Sequence, residues 1–174
     1  MPKCIVHGVG GTLIQHKKEH NLHCDIKEGE RVFYFSTCGW MMWNWLISGL
    51  ASGATLMLYD GSPVLKNNEN ILFDYADQEK FNIMGISAKF LDTCRKLELN
   101  PMNSHNLSSL RMMLSTGSVL NSDCFDYVYE KIKSSVCLSS ISGGTDIVSC
   151  FVLGSNILPV YRGELQTRGL GMSV

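Results

Sequence analysis

Apolar and polar positions along the chain switch repeatedly between a strand-like and a helix-like period. Arg31-Val32-Phe33-Tyr34-Phe35 is rich in strand formers. From Trp40 to Leu50 the apolar residues Trp43, Leu46, Ile47 and Leu50 recur at helical spacing. Gly53 interrupts, Thr55 to Tyr59 reads as a short apolar strand, and Asp60-Gly61-Ser62-Pro63 reads as a turn. The alternation then repeats, with helix over Ile71 to Lys80, strand over Ile83 to Ile86 and helix over Ala88 to Leu97, stopped by Asn100-Pro101. Leu110 to Leu114 reads as a strand entering Ser115-Thr116-Gly117-Ser118. Ser122 to Lys133 reads as a helix, and Val136 to Ile141 as a strand entering Ser142-Gly143-Gly144-Thr145-Asp146. This strand–helix alternation predicts an α/β fold with a parallel sheet. Leu158 to Val174 alternates in character and stops without a cap or turn signal, which predicts that the chain is cut there.

Sheets of this kind hold ligands at the carboxyl ends of their strands. The two Gly- and hydroxyl-rich loops, 115–118 and 142–146, are therefore the physical candidates for a site. Glycine lets backbone amides approach a ligand closely, threonine offers a hydroxyl to a phosphate oxygen, and aspartate suits a hard cation such as Mg²⁺. Neither loop is a Walker P-loop, because the Gly-Lys-Ser/Thr ending is absent. Taken alone, each also fits an ordinary strand–helix turn.

Composition narrows the reading. With 174 residues, 45% hydrophobic and 18% charged, the chain is globular and of one-domain size. A net charge of −1 provides no basic surface for nucleic acid, so function rests on a local site and not on bulk electrostatics. Seven cysteines without a C-x-x-C pair predict reduced, mostly buried thiols and a cytosolic location. Residues 36–59 carry no charge and are long enough to cross a bilayer. Gly39, Asn44, Ser48, Gly49, Ser52, Gly53 and Thr55 break that stretch, so a buried helix, a turn and a buried strand are expected instead of a span.

His16-Lys17-Lys18-Glu19-His20 matches H-x-x-E-H, the inverted zinc-protease pattern, with His23 as a further ligand candidate. On a helix His16 and His20 share a face, and Glu19 is placed as a base. A zinc-dependent hydrolase is the alternative this motif raises. The pattern fixes only three positions in a Lys-rich segment, so the competing expectation is an exposed amphipathic helix. Trp40-Met41-Met42-Trp43-Asn44-Trp45 suits core packing or, alternatively, the wall of a cavity for a small acyl group.

Beyond these patterns the chain resembles a family. Gly39 to Trp45, Leu58 to Pro63, Leu114 to Ser118, Tyr127-Val128-Tyr129, Ile132 to Ser135, Ser142 to Ile147 and Pro159 to Glu164, in this order, are similar to the acetoacetyl-CoA synthetases. These belong to the adenylate-forming superfamily, with other acyl-CoA synthetases, luciferases and adenylation domains. The resemblance implies that residues 1–174 form an incomplete AMP-binding (adenylation) domain, a parallel-sheet part of the large N-terminal domain, without the C-terminal domain. It implies ATP and CoA as co-substrates, Mg²⁺, and acetoacetate activated to its adenylate before transfer to CoA.

By position, Pro2-Lys3 are similar to the end of the phosphate loop S-G-T-T-G-x-P-K, with Met1 at the variable x, which makes Lys3 a nucleotide-binding candidate. Gly117 and Ser118 match the loop against adenine. Gly143, Gly144 and Thr145 match the loop at the nucleotide, Thr145 at the α-phosphate, and Asp146 matches the acidic Mg²⁺ ligand. Trp40, Met41, Met42, Thr116 and Gly143 are expected to line the acyl pocket. Acetyl-CoA synthetases carry Trp where Gly143 stands, so the resemblance implies that Gly143 leaves room for a longer acid and that Gly143→Trp favours acetate. Much of the phosphate loop, the ribose-binding Asp, the hinge and the catalytic Lys of the family find no match here. The isolated chain is therefore expected to be inactive and to lack sheet strands. An assay of thioester formation with the 174-residue chain, ATP, Mg²⁺, acetoacetate and CoA should give no turnover; acetoacetate-dependent product would overturn this.

Overall fold

The computed structural model describes residues 4–174, so Met1, Pro2 and Lys3, including the Lys3 nucleotide candidate, lie outside the described residues. Five parallel strands form the main sheet: β1 (Arg31–Tyr34), β2 (Thr55–Met57), β3 (Ile83–Ser87), β4 (Met112–Thr116) and β5 (Cys137–Ser140). Their order is β2-β1-β3-β4-β5, so the direction of winding reverses between β1 and β3. The crossovers contain α2 (Met41–Ser48), α3 (Ile71–Glu79), α4 (Ala88–Lys96), the single turn α5 (Pro101–Ser104) and α6 (Ser122–Tyr127). An α1 helix (Val9–Lys18) precedes the sheet. A small antiparallel sheet of β6 (Ser142–Gly144), β7 (Ser149–Leu153) and β8 (Thr167–Arg168) follows it.

The period of two along each strand sorts side chains into two cores. Phe33, Met84, Ile86, Met113 and Leu138 face α3, α4 and α6. Val32, Tyr34, Ile83, Met112 and Leu114 face the opposite side, where Trp45 and Leu46 of α2 close over them. The helices therefore divide as the strand order requires: α2 links β1 to β2 on one face, and α3, α4 and α6 cover the other. Gly85 has a local reason. A Cβ there would lie 2.0 Å from the Tyr34 ring, so the Tyr34 side chain lies across β3 only because that position is bare.

Several predicted elements differ in extent. The uncharged stretch 36–59 divides into α2, a 3₁₀ turn over Gly49–Ser52 and β2, as its polar breaks predict. No helix among the described residues is long and apolar enough to cross a membrane. The helix expected over Ser122 to Lys133 changes at Val128 into a π-turn running to Ile132. Lys133 then donates to the carbonyls of Leu107, Ser108 and Leu110 at 2.6–2.8 Å, capping the turn that feeds β4. Most of Leu158 to Val174 is turn and loop, with Thr167–Arg168 its only strand.

The clearest correction concerns His16 to His23. The segment expected as an exposed amphipathic helix instead buries the face that carries its histidines and Glu19, leaving Lys17, Asn21 and Leu22 exposed. His16 and His20 are fully covered, and Glu19 and His23 are 1% and 3% exposed. α1 widens into a π-turn over Glu19–His23 and packs beside α2. The lysines mislead because Lys17 and Lys18 lie along the fold and donate to the carbonyls of Ala51 and Leu170, while His16, Glu19, His20 and His23 turn inward.

Burial lowers His16 and His20 to about 4, the second also through its neighbour His16. Both are thus neutral in the fold at pH values where the unfolded chain protonates them. Their contribution is fully present above pH 6.5 and is lost as pH falls towards 4. Urea-unfolding midpoints should drop across that window. His20→Phe should flatten the drop, since burial is the chief cause of the lowered His20 pKa and phenylalanine does not titrate. A pH-independent midpoint, or an unchanged slope in the variant, would show that these rings do not control acid sensitivity.

Candidate functional site

The register of β4 on β5 builds the site. Leu114 pairs with Ser139 and Ser115 with Ser140, so both strands end at one level and their following loops open side by side. Two hydrogen bonds join the loops: Ile141 N–H donates to Ser115 O at 2.8 Å, and Thr116 Oγ1 donates to Ile141 O at 3.0 Å. Gly117 follows at φ +92°, a conformation that favours glycine and turns the chain back over the strand ends.

A cavity of about 840 Å³ lies above these strand ends. Thr116, Gly117, Ser118, Gly143, Gly144 and Thr145 form one bank. Trp40, Met41 and Met42, entering α2, form another. The structure therefore brings all five expected acyl-pocket residues and the two candidate loops to one cavity. Trp40 is 70% exposed and has no core role, whereas Trp45 of the same cluster is buried. Within the cluster Trp45 packs in the core, while Trp40, Met41 and Met42 line the cavity. Asp146 lies just beyond the lining, exposed in the turn 145–148. That turn is closed by Val148 N–H donating to Thr145 O at 3.2 Å, with Val148 at φ +50°.

Other lining residues gave no motif. Phe35, Ser36 and Thr37 line the cavity at the carboxyl end of β1, and Ile86 and Ser87 at the end of β3. These two ends flank the reversal point of the sheet, where open α/β sheets form a crevice. Ser87 also caps α4, its Oγ accepting from Phe90 N–H at 3.1 Å. Gly163, Glu164 and Leu165 close another side. Arg162 holds that segment by donating to both carboxylate oxygens of Asp126 at 2.7–3.0 Å. From the N-terminal segment, His7 Nε2 donates to Thr145 O at 2.9 Å.

Ser142–Gly144 is not a free loop but strand β6, bulged at Ser142/Gly143 and paired with β7. A Cβ on Gly143 would stand 2.2 Å from Ser149 O and 2.8 Å from Cys150 Cα. Contact with the neighbouring strand therefore demands glycine here, whatever room it leaves in the cavity. A Trp at Gly143 would have to part β6 from β7, so that substitution does not report on pocket length alone. Gly144 has nothing within 4 Å of an added Cβ.

Of the H-x-x-E-H residues, His16 and Glu19 hydrogen-bond within the fold, as does the neighbouring His23, while the His20 ring packs edge-on against Trp45. His16 Nδ1 pairs with Ser48 Oγ at 2.8 Å. His23 Nδ1 donates to Gly154 O at 2.9 Å, and its Nε2 accepts from Leu170 N–H at 3.1 Å. Glu19 accepts from Trp45 Nε1–H at 3.0 Å and from Cys150 N–H at 3.1 Å. No group of three or more His, Cys, Asp or Glu among the described residues is placed to hold a metal ion.

A parallel α/β sheet whose strand-end loops enclose one cavity defines a ligand-binding domain of the nucleotide-handling type. The family model for AMP-binding enzymes matches residues 1–163, and the chain belongs to that family. It is 62% identical over 174 residues to the acetoacetyl-coenzyme A synthetase of Rhizobium meliloti (strain 1021), covering 100% of this chain and 27% of that protein. It is 51% identical over 173 residues to the acetoacetyl-CoA synthetase of Mus musculus, covering 99% of this chain and 26% of that protein. The structure of acetoacetyl-CoA synthetase from Streptomyces lividans superimposes with a TM-score of 0.91 at 40% identity, over 98% of this chain and 27% of that one. The chain thus spans about a quarter of the length of the relatives it matches.

Gly143→Ala should destabilise the protein by ~1–3 kcal/mol, because the new methyl meets backbone that no rotamer change can move aside. Gly144→Ala should stay within about 1 kcal/mol of the parent, the ordinary range for an unobstructed position. Equal thermal shifts for the two variants would contradict the backbone contact assigned to Gly143.

Proposed function

We propose that this segment supplies the nucleotide-facing and acid-facing walls of an acetoacetate–CoA ligase. In this reading residues 1–174 are part of an AMP-binding domain, and the whole reaction belongs to the longer protein. The observation that carries it is the meeting of the 115–118 and 142–145 loops with Trp40, Met41 and Met42 around one cavity. Likeness to proteins named acetoacetyl-CoA synthetase over the whole chain supports acetoacetate as the acid.

A carboxylate resists attack by a thiol, so the acid must first gain a leaving group. An acetoacetate oxygen attacks the α-phosphorus of ATP, the bond to pyrophosphate breaks, and acetoacetyl-AMP forms. The CoA thiolate then attacks the acyl carbon, the carbon–oxygen bond to AMP breaks, and acetoacetyl-CoA leaves. Thr145 is assigned to an α-phosphate oxygen, and Gly117 and Ser118 to the adenine side. Gly143 and Gly144 present backbone to the adenylate, and Lys3 is assigned to the phosphates. Trp40, Met41, Met42 and Thr116 face the acyl chain. Asp146, a single exposed carboxylate one residue past Thr145, fits Mg²⁺, which commonly combines one or two protein carboxylates with substrate phosphates. Bound there, Mg²⁺ would offset negative charge on the phosphates. The seven cysteines are unpaired, which agrees with a reducing compartment such as the cytosol.

The test uses a full-length enzyme: this segment grafted in place of its counterpart in the Rhizobium meliloti relative. Acetoacetate-dependent ATP–pyrophosphate exchange should appear, and Thr145→Val or Asp146→Asn should each reduce it by ~100-fold, in the range for losing one transition-state contact. Thermal midpoints should stay near the parent, because both side chains are exposed. Full exchange activity in both variants would remove these residues from the reaction.

A further inference from the structure

The buried H-x-x-E-H segment lies directly behind the cavity described above. Glu19 is 1% exposed and gathers donors from three elements. Its Oε1 accepts from Gln15 Nε2 at 2.6 Å, Ser149 Oγ at 3.0 Å and Cys150 N–H at 3.1 Å, and its Oε2 accepts from Trp45 Nε1–H at 3.0 Å. All four partners donate, so the side chain serves as an acceptor only.

Two of those partners belong to the cavity wall. Ser149 and Cys150, at the start of β7, line the cavity together with Met42 and Ile141. Met42, Ile141 and Cys150 also border a void of about 10 Å³ that Glu19 lines as well. Cys150 is the register partner of Gly143 across the bulge in β6. The approach is so close that Gly143 has no room for a Cβ against Ser149 O and Cys150 Cα. A displacement of Cys150 therefore passes directly to Gly143, and through Gly144 to Thr145.

We propose that Glu19 is a positioning residue for the acid end of the site: its carboxyl pins β7, and β7 sets where the Gly143–Thr145 wall stands. This rests on the ligase reading above. The same carboxyl holds Trp45 of α2, the helix whose first turn carries Met41 and Met42. One side chain thus fixes both banks that face the acyl group. An apolar residue in its place would leave the Cys150 amide and the Trp45 indole N–H buried without acceptors.

The experiment uses the same full-length graft. Glu19→Asp withdraws the carboxyl by one methylene, and Glu19→Gln keeps an oxygen for Cys150 and Ser149 while setting an NH₂ against the Trp45 N–H. Glu30→Gln is the control. Glu30 accepts from Arg111 at 2.5–2.6 Å, at the opposite, amino end of the strands. Glu19→Asp should raise KM for acetoacetate about tenfold, in keeping with the sensitivity of reaction geometry to small displacements, and leave KM for ATP within about twofold. Glu19→Gln should fall between it and the parent, and amide exchange at Cys150 should quicken in both variants. Glu30→Gln should lower stability without changing the ratio of the two KM values.

The proposal is overturned if both Glu19 variants keep the parental KM for acetoacetate, or if the KM values for acid and ATP rise together. Should Glu19→Asp not fold, the ratio in Glu19→Gln decides. A folded, unmutated graft without acetoacetate-dependent exchange would instead remove the ligase reading. Amide exchange at Cys150 would still test whether Glu19 anchors β7.

Discussion

The parallel pairing of β4 with β5 is the constraint on which the site depends. Because Ser115 stands opposite Ser140, the two strands release their loops at the same height. The bonds between Ile141 and the Ser115–Thr116 backbone and hydroxyl then hold the loops together as one surface. A slip by one residue would exchange the two faces of β5, sending Leu138 out of one core and Ser139 into it. The buried side chains of Met113 and Leu138 on one face, and of Leu114 on the other, thus fix the geometry of groups that make no contact with the core themselves. Stability and site geometry are set by the same register.

Much of this was legible in the residues. The five parallel strands and their crossover helices follow from alternating periods, and the two candidate loops follow from glycines and hydroxyls placed after apolar runs. What stayed hidden depends on contacts distant in sequence. Ser36, Thr37 and Ser87 line the cavity because the sheet reverses direction between β1 and β3, and strand order carries no local signature. Ser142-Gly143-Gly144 has poor strand propensity, and it becomes a strand only because β7 lies beside it. The burial of His16 to His23 is hidden for a different reason. Lysines normally report a solvated surface, and here they cover one by reaching along it, so composition points the wrong way.

The fate of the H-x-x-E-H pattern shows how far spacing alone carries chemistry. Two histidines and a glutamate at helical spacing present the residue types of a zinc site, yet each nitrogen and oxygen must also face a shared point. Here Glu19 turns towards β7 and α2, His16 towards Ser48, and His20 packs edge-on against Trp45, while the further candidate His23 turns towards Gly154 and Leu170. The π-turn over Glu19–His23 contributes to this divergence, since the wider turn changes the angular offset between successive side chains. What reads in sequence as a convergent triad is, in space, a set of side chains directed to separate parts of the protein.

The strand order has an evolutionary consequence. The 35–42 bank of the cavity rises from β1 and leads into α2, whereas the 115–118 bank rises from β4, with β3 between the two strands. Substitutions in the first bank alter one strand end, and those in the second alter another. Members of one lineage can therefore remodel one wall of the cavity while the wall rising from the other strand keeps its place.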